Sequence, residues 1–214
     1  MKWKDVEHHT DAFSLKELLV ILGVIALLVC IILPVLVKAR LRSRAICCNC
    51  NLKQIGLSFR QWSMDHGDKN PMQVSVTNGG TMELDESGIV YTHFQVMSNE
   101  LNTPKTLICP ADVRVPATSF GARLSNTNLS YFVGIDASDS MPAMFLSGDC
   151  NITNGPLPPN RILELTPNRP AGWTPERHLR QGNILFGDNS IQGLSDRALR
   201  QMGSGGLTNR LAIP

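Results

Sequence analysis

The chain opens on polar residues and then runs from 18 to 37, LLVILGVIALLVCIILPVLV, without a charged or strongly polar side chain. As a helix rising about 1.5 Å per residue, this stretch reaches about 30 Å, the thickness of bilayer hydrocarbon. It is longer than the roughly 7–15 apolar residues of a cleaved secretory signal. It predicts a membrane-spanning helix. Past Pro34, the apolar positions Leu41, Ala45, Cys48, Leu52, Ile55, Phe59 and Trp62 recur at alternating spacings of four and three, the stripe of one amphipathic helix face. The two patterns together predict one helix from about residue 14 to about residue 65, roughly 75 Å long, closed by the HGDKNP turn signal at 66–71.

From residue 72 onward the pattern changes to short apolar runs, GIVYTHF, TLICP, LSYFVGI, AMFLSGD and NILFGDNSIQGL, set among Gly, Pro, Asn and Ser. These predict short strands. The last is the clearest hairpin, with 183–186 and 190–194 flanking Asp188 and Asn189, residues that tolerate the left-handed conformations of a tight turn. A short helix is expected over 195–202, and loops over the Gly- and Pro-rich stretch 154–176. A sheet needs one buried face and the stalk supplies a matching apolar stripe, so the expected fold class is α+β, a long N-terminal transmembrane and stalk helix packed on a small antiparallel β-sheet domain.

Length and composition allow little more: 214 residues, 43% hydrophobic and 18% charged, hold one membrane segment and one modest domain. Twenty Lys and Arg against eighteen Asp and Glu leave +2, too small a surplus for a nucleic-acid partner. The cationic excess is concentrated in Lys38, Arg40, Arg42, Arg44, Lys53 and Arg60, a solvated helix face or a contact with anionic headgroups beside the span. Among six cysteines, Cys47 and Cys50 form a lone CxxC with no second pair and no suitably spaced histidine, so no metal site is expected. Cys47, Cys48 and Cys50 read as small packing residues. Cys109 and Cys150 are the candidate pair for a disulfide in an oxidising compartment, a connectivity that spacing alone leaves open.

Three residues depart from a plain anchor: Glu17 at the edge of the span, Gly23 within it and Pro34 near its far end. Pro34 removes a backbone donor and clashes with the preceding turn, and Gly23 adds a second weak point, so a bend or loosening is expected there. A carboxylate at the membrane boundary must snorkel, stay protonated or find a positive partner. Another copy of the chain would supply one.

The residues AFSLKELLVILGVIALL at 12–28 resemble the type IV prepilin processing motif, in which a small residue precedes Phe and a Glu stands four residues after it. A short leader, a span beginning at the Phe and a proline twenty-one residues beyond it accompany that motif in pilins and type II secretion pseudopilins, and all are present here. The resemblance implies a pilin-like fold and cleavage between Ala12 and Phe13 by a prepilin peptidase, followed by N-methylation of Phe13. It also implies that Glu17 neutralises the terminal amine of a neighbouring subunit during filament assembly. The implied organisation is a leader at 1–12, a transmembrane helix at 13–37, an amphipathic stalk at 38–66 and a β-rich domain at 67–214. The family usually has glycine before the cut, where this chain has Ala12. A count of positive charges, with Lys2 and Lys4 against Asp5, Glu7 and Asp11 in the leader and the basic cluster after the span, would put the C-terminal domain in the cytoplasm. The resemblance instead implies a bacterial inner-membrane protein with a cytoplasmic leader and an extracytoplasmic domain.

The segment CCNCNLKQIGLSFRQWSMDHGDKNP, with Cys109, Pro110 and Asp112 as a CP-x-D element, is similar to a large bacterial subgroup of prepilin-like proteins. His178 and Asp188, separated by nine residues, resemble that subgroup's H-x9-DG signature with Asn189 in place of its glycine; they are expected to shape the hairpin and its preceding loop. The runs DASDS at 136–140 and SGDCN at 147–151 offer oxygens for a loop calcium, but their spacing fits no EF-hand, and solvated turns are the simpler reading. No nucleophile elbow, HExxH, phosphate loop or clustered acid pair is present, so no enzyme and no cofactor are expected. Two readings follow. The first is a structural subunit of a type IV pilus-like or type II secretion-like filament, with the peptidase, other subunits and the membrane as partners. The second is a monomeric, membrane-tethered binding protein that uses the prepilin segment only as an anchor.

Overall fold

The structure, a computed structural model, describes residues 14–121, 123–178, 180–204 and 209–214. It divides into two compact units, Met1–Ser43 and Arg44–Pro214. Helix α1, Leu15–Asp65, begins at a reciprocal cap. Ser14 Oγ accepts from the Glu17 amide at 3.3 Å, and the Glu17 carboxylate accepts from the Ser14 amide at 2.8 Å. This S-x-x-E capping box satisfies donors that a helix start leaves orphaned. The helix continues through Gly23 and Pro34, and a Cβ added at Gly23 would meet nothing within 4 Å. Every side chain from 18 to 37 is exposed, on a helix long and apolar enough to cross a membrane. A helix apolar on all sides needs lipid or protein around it.

In the second unit, α1 buries one stripe, Cys48, Leu52, Ile55, Phe59 and Trp62, while Ile46, Leu57 and Met64 stay exposed. After the turn that closes α1, where Gly67 and Asp68 take positive φ, the chain runs through short helical pieces that include α2, Tyr91–Gln95, and α3, Ser98–Leu101. The strands follow: β1 (Tyr131–Gly134), β2 (Phe145–Asp149), β3 (Ile152–Thr153), β4 (Ile162–Leu165), β5 (Gly172–Trp173), β6 (Gln181–Phe186), β7 (Ile191–Ser195) and, after helix α4 (Asp196–Ser204), β8 (Asn209–Ala212). Six form one antiparallel sheet in the order β4-β8-β1-β2-β6-β7, and β3 pairs with β5 in a separate ribbon.

The sheet is buried on both faces. Tyr131, Val133, Leu146 and Leu185 join the α1 stripe in one cluster, and Phe132, Phe145, Ile184 and Leu211 join Leu199 of α4 and Trp173 of the ribbon in another. The expectation of one buried face therefore undercounts the layers, and β1, with four buried residues in a row, shows why alternation was weak. Two runs expected as strands are helical instead. GIVYTHF leads into α2, and Val90, Phe94, Met97 and Leu101, all buried, repeat at helical spacing over a window longer than that run. TLICP begins in a 3-10 turn, Pro104–Leu107, with proline at its start and Thr103 Oγ1 accepting from the Lys105 amide. The stretch 154–176, expected as loop, contains β4 and β5. The expected hairpin is β6–β7, and the expected short helix is α4.

One close approach sets helix against sheet. A Cβ at Gly56 would lie 2.4 Å from Asn189 Oδ1 and 2.9 Å from Leu185 Cδ1, so the β6–β7 turn meets α1 where the helix has no side chain. Asn189 holds that turn with φ +65.

Candidate functional site

His178 and Asp188 stand at opposite ends of β6 and do not meet. Asp188 Oδ1 accepts from the Ser190 amide at 2.8 Å, closing the turn, and the Ser190 side chain together with that amide holds the carboxyl below its ordinary range. His178 goes elsewhere. At φ +51, it reaches into a buried polar cluster, with Nε2 3.3 Å from Cys109 Sγ and 3.8 Å from Asp149 Oδ2.

The cluster is assembled from four parts of the chain. The end of β2 contributes Asp149, which is fully buried. Its Oδ2 accepts from the Asn183 amide at 2.7 Å and from Asn183 Nδ2 at 2.9 Å, while Oδ1 has no hydrogen-bond partner among the described residues. Burial pushes the Asp149 carboxyl up, against the pull of His178, Asn183 and Arg177. The loop before β6 contributes Arg177 and His178. Asn151, also buried, pins that loop by donating Nδ2 to the carbonyls of Thr174, Arg177 and Gln181. Arg177 donates to Cys150 Sγ at 2.9 Å and pairs with Asp112 Oδ2 at 3.1 Å. The segment from Cys109 to Arg114 is the third part: Asp112 also accepts from Ser130 Oγ at 2.6 Å, and Arg114 reaches the Leu129 carbonyl. A buried carboxylate is costly unless paired and hydrogen-bonded, and Asp112 meets that condition more fully than Asp149.

The fourth part is α1. Cys109 is bonded to Cys48, not to Cys150; both sulfurs are buried, and their Cα atoms are 5.1 Å apart. The candidate pair Cys109–Cys150 is thereby corrected. Cys150 is a free buried thiol turned to Arg177, with its proton affinity raised by burial and opposed by that guanidinium. Cys47 and Cys50 lie on the exposed side of the helix, so of the three clustered cysteines only Cys48 faces the domain. The apolar stripe already placed Cys48 inward; reading the cluster as packing residues obscured it.

The runs weighed for calcium are otherwise engaged. In DASDS, Asp136 pairs with Arg210 at 2.7 Å and Asp139 pairs with Arg60; in SGDCN, Asp149 ends a strand inside the core. Of the processing residues, Ala12 and Phe13 lie outside the described residues. Glu17 is held by Ser14 of its own chain, a contact that the S-x-x-E spacing could have revealed. Two open surface concavities, one lined by His66, Lys69 and Asn78 and the other by Asn154, Glu164 and Arg169, share no residue with the buried cluster. Comparison with protein-family models, with curated proteins and with solved structures gives no match.

Proposed function

We propose that the chain is a pilin- or pseudopilin-like structural subunit, anchored in a bacterial inner membrane through α1, cut between Ala12 and Phe13 and assembled into a filament of type IV pilus or type II secretion kind. The observation that carries this reading is α1 itself. Its first part exposes apolar side chains on every side, and its later part buries only one stripe in the domain while leaving Ile46, Leu57 and Met64 outward. These apolar residues, set among exposed Lys53 and Arg60 on the outer side of the stalk, gain from a covering, and neighbouring stalks would supply one. In the filament, the Glu17 carboxylate would exchange its contact with the Ser14 amide for the free amine of a neighbour's Phe13.

The test is intact mass and N-terminal sequencing of chain extracted from membranes, together with filament recovery. A mature chain beginning at Phe13, methylated, with Glu17→Ala inserted in the membrane but absent from filaments, is the expected result. A terminus at Met1 and recovery only as a monomer after crosslinking in cells would overturn it in favour of a tethered binding protein.

A further inference from the structure

Four donor atoms in the buried cluster suit a metal ion better than they suit one another. Cys48 Sγ, Cys109 Sγ, a carboxylate oxygen of Asp149 and a ring nitrogen of His178 all lie within 4.8 Å of one another. Tetrahedral zinc, with bonds of about 2.0 Å to nitrogen and oxygen and about 2.3 Å to sulfur, separates its donors by about 3.3–3.8 Å. Two edges of such a tetrahedron are already present, Cys109 Sγ to His178 Nε2 at 3.3 Å and His178 Nε2 to Asp149 Oδ2 at 3.8 Å. The edge that does not fit is the bonded pair of sulfurs. A disulfide does not coordinate as thiolates do, so the site exists only when that bond is opened.

We propose that the dithiol form of this chain binds one zinc ion through Cys48, Cys109, Asp149 and His178, and that the ion and the Cys48–Cys109 disulfide are alternative cross-links between α1 and the sheet domain. Independent support comes from Asp149, a wholly buried residue whose Oδ1 has no partner among the described residues. Asn183 fixes the same carboxylate through two donors, as outer-shell groups fix metal ligands. The mixed sulfur, nitrogen and oxygen set, four in number, suits zinc; calcium would require six to eight oxygens. The ligands are scattered along the chain, with 61 positions separating the two cysteines, so no ligand motif is visible in the sequence.

The exchange balances. A dithiol reductant gives two electrons and two protons to the Cys48–Cys109 bond, becoming a disulfide itself and leaving two thiols. Zinc then displaces the two thiol protons to solvent as it binds. A disulfide oxidant takes the two electrons from the thiolates and two protons from solvent, becoming a dithiol, so the Cys48–Cys109 bond re-forms and the ion is released.

The test uses full-length chain in detergent, reduced with a dithiol, freed of reductant without oxygen and titrated with cobalt(II) as the probe. Cys30, Cys47 and Cys50 are exposed thiols, so they are replaced by serine in a parallel sample. The expected result is one cobalt per chain with the visible bands of a tetrahedral site and thiolate charge-transfer absorption, displaced by zinc, present in both samples and absent from the oxidised chain. Asn183→Ala should weaken cobalt binding about 10–100-fold, and His178→Ala should weaken it further. The oxidised-against-reduced comparison needs no substitution in the cluster, so a variant that fails to fold does not decide the outcome. Equal binding by oxidised chain, no tetrahedral spectrum on reduction, or bands that vanish with the exposed thiols would each overturn the proposal.

Discussion

Two ionic clusters in the domain use the same kinds of side chain in opposite settings. In the cluster beneath α1, Asp112 and Asp149 are almost wholly buried, and the Arg177 and His178 side chains are each 11% exposed. At the rim, Arg210 spans Asp136 and Glu86 with the three side chains 38%, 30% and 80% exposed. Distances hardly distinguish them, since Arg210–Asp136 at 2.7 Å is shorter than Arg177–Asp112 at 3.1 Å. Burial does. A buried charge stripped of its partner keeps its desolvation cost, whereas an exposed one is taken up by water and salt.

That contrast orders the expected effects. Asp149→Ala leaves both Asn183 donors without their acceptor and removes the carboxylate 3.8 Å from His178, and it should cost about 3–5 kcal/mol in urea unfolding of the detergent-solubilised chain; a loss under 1 kcal/mol would erase the distinction between the clusters. Replacing Cys48 and Cys109 together by alanine removes a bridge across a loop of about 60 residues, which the chain-entropy estimate puts at about 4 kcal/mol. At the rim, Arg210→Ala should cost about 1 kcal/mol or less and shrink further in salt.

Two more groups sharpen the comparison through pH. His93 is buried against Thr81 Oγ1 at 2.8 Å, and burial lowers its pKa to about 4. The unfolded imidazole takes a proton near pH 6.5 while the folded one does not, so stability present above that pH should fall by about 3 kcal/mol as pH drops to 4. His93→Gln should flatten this acid limb. Asp85, beside the rim cluster and half-buried, has its carboxyl raised to about 7 by burial, against the pull of Arg210. Here the folded state holds the proton that the unfolded state has released, so the group's contribution declines as pH rises from about 4 to about 7. Asp85→Asn should remove that decline, the smallest of these effects because water screens a half-exposed group.

Sequence periodicity carried the parts of the fold whose buried residues repeat within one element. The α1 stripe from Cys48 to Trp62, the β6–β7 hairpin and α4 all announce themselves that way. It failed where short strands lie among Gly and Pro, as with β4 and β5, and where one helical period is divided between two short helices, as with Val90 to Leu101. The candidate site was legible only at its edges: Cys48 from the stripe, and Cys109 and His178 as marked residues. Their convergence on Asp149 depends on which strand lies beside which, and that order is set by packing of distant segments rather than by any local pattern.

The close approach at Gly56 has a mechanical consequence. It lies eight positions along from Cys48, about 12 Å on a helix, and at both points α1 is registered against the domain, once by a covalent bond and once by a turn seated in a notch. Two such fixtures on one rigid rod forbid sliding along its axis. Tension drawn along α1 would therefore load the interface with the domain in shear, across the Cys48–Trp62 stripe at once, instead of peeling it residue by residue.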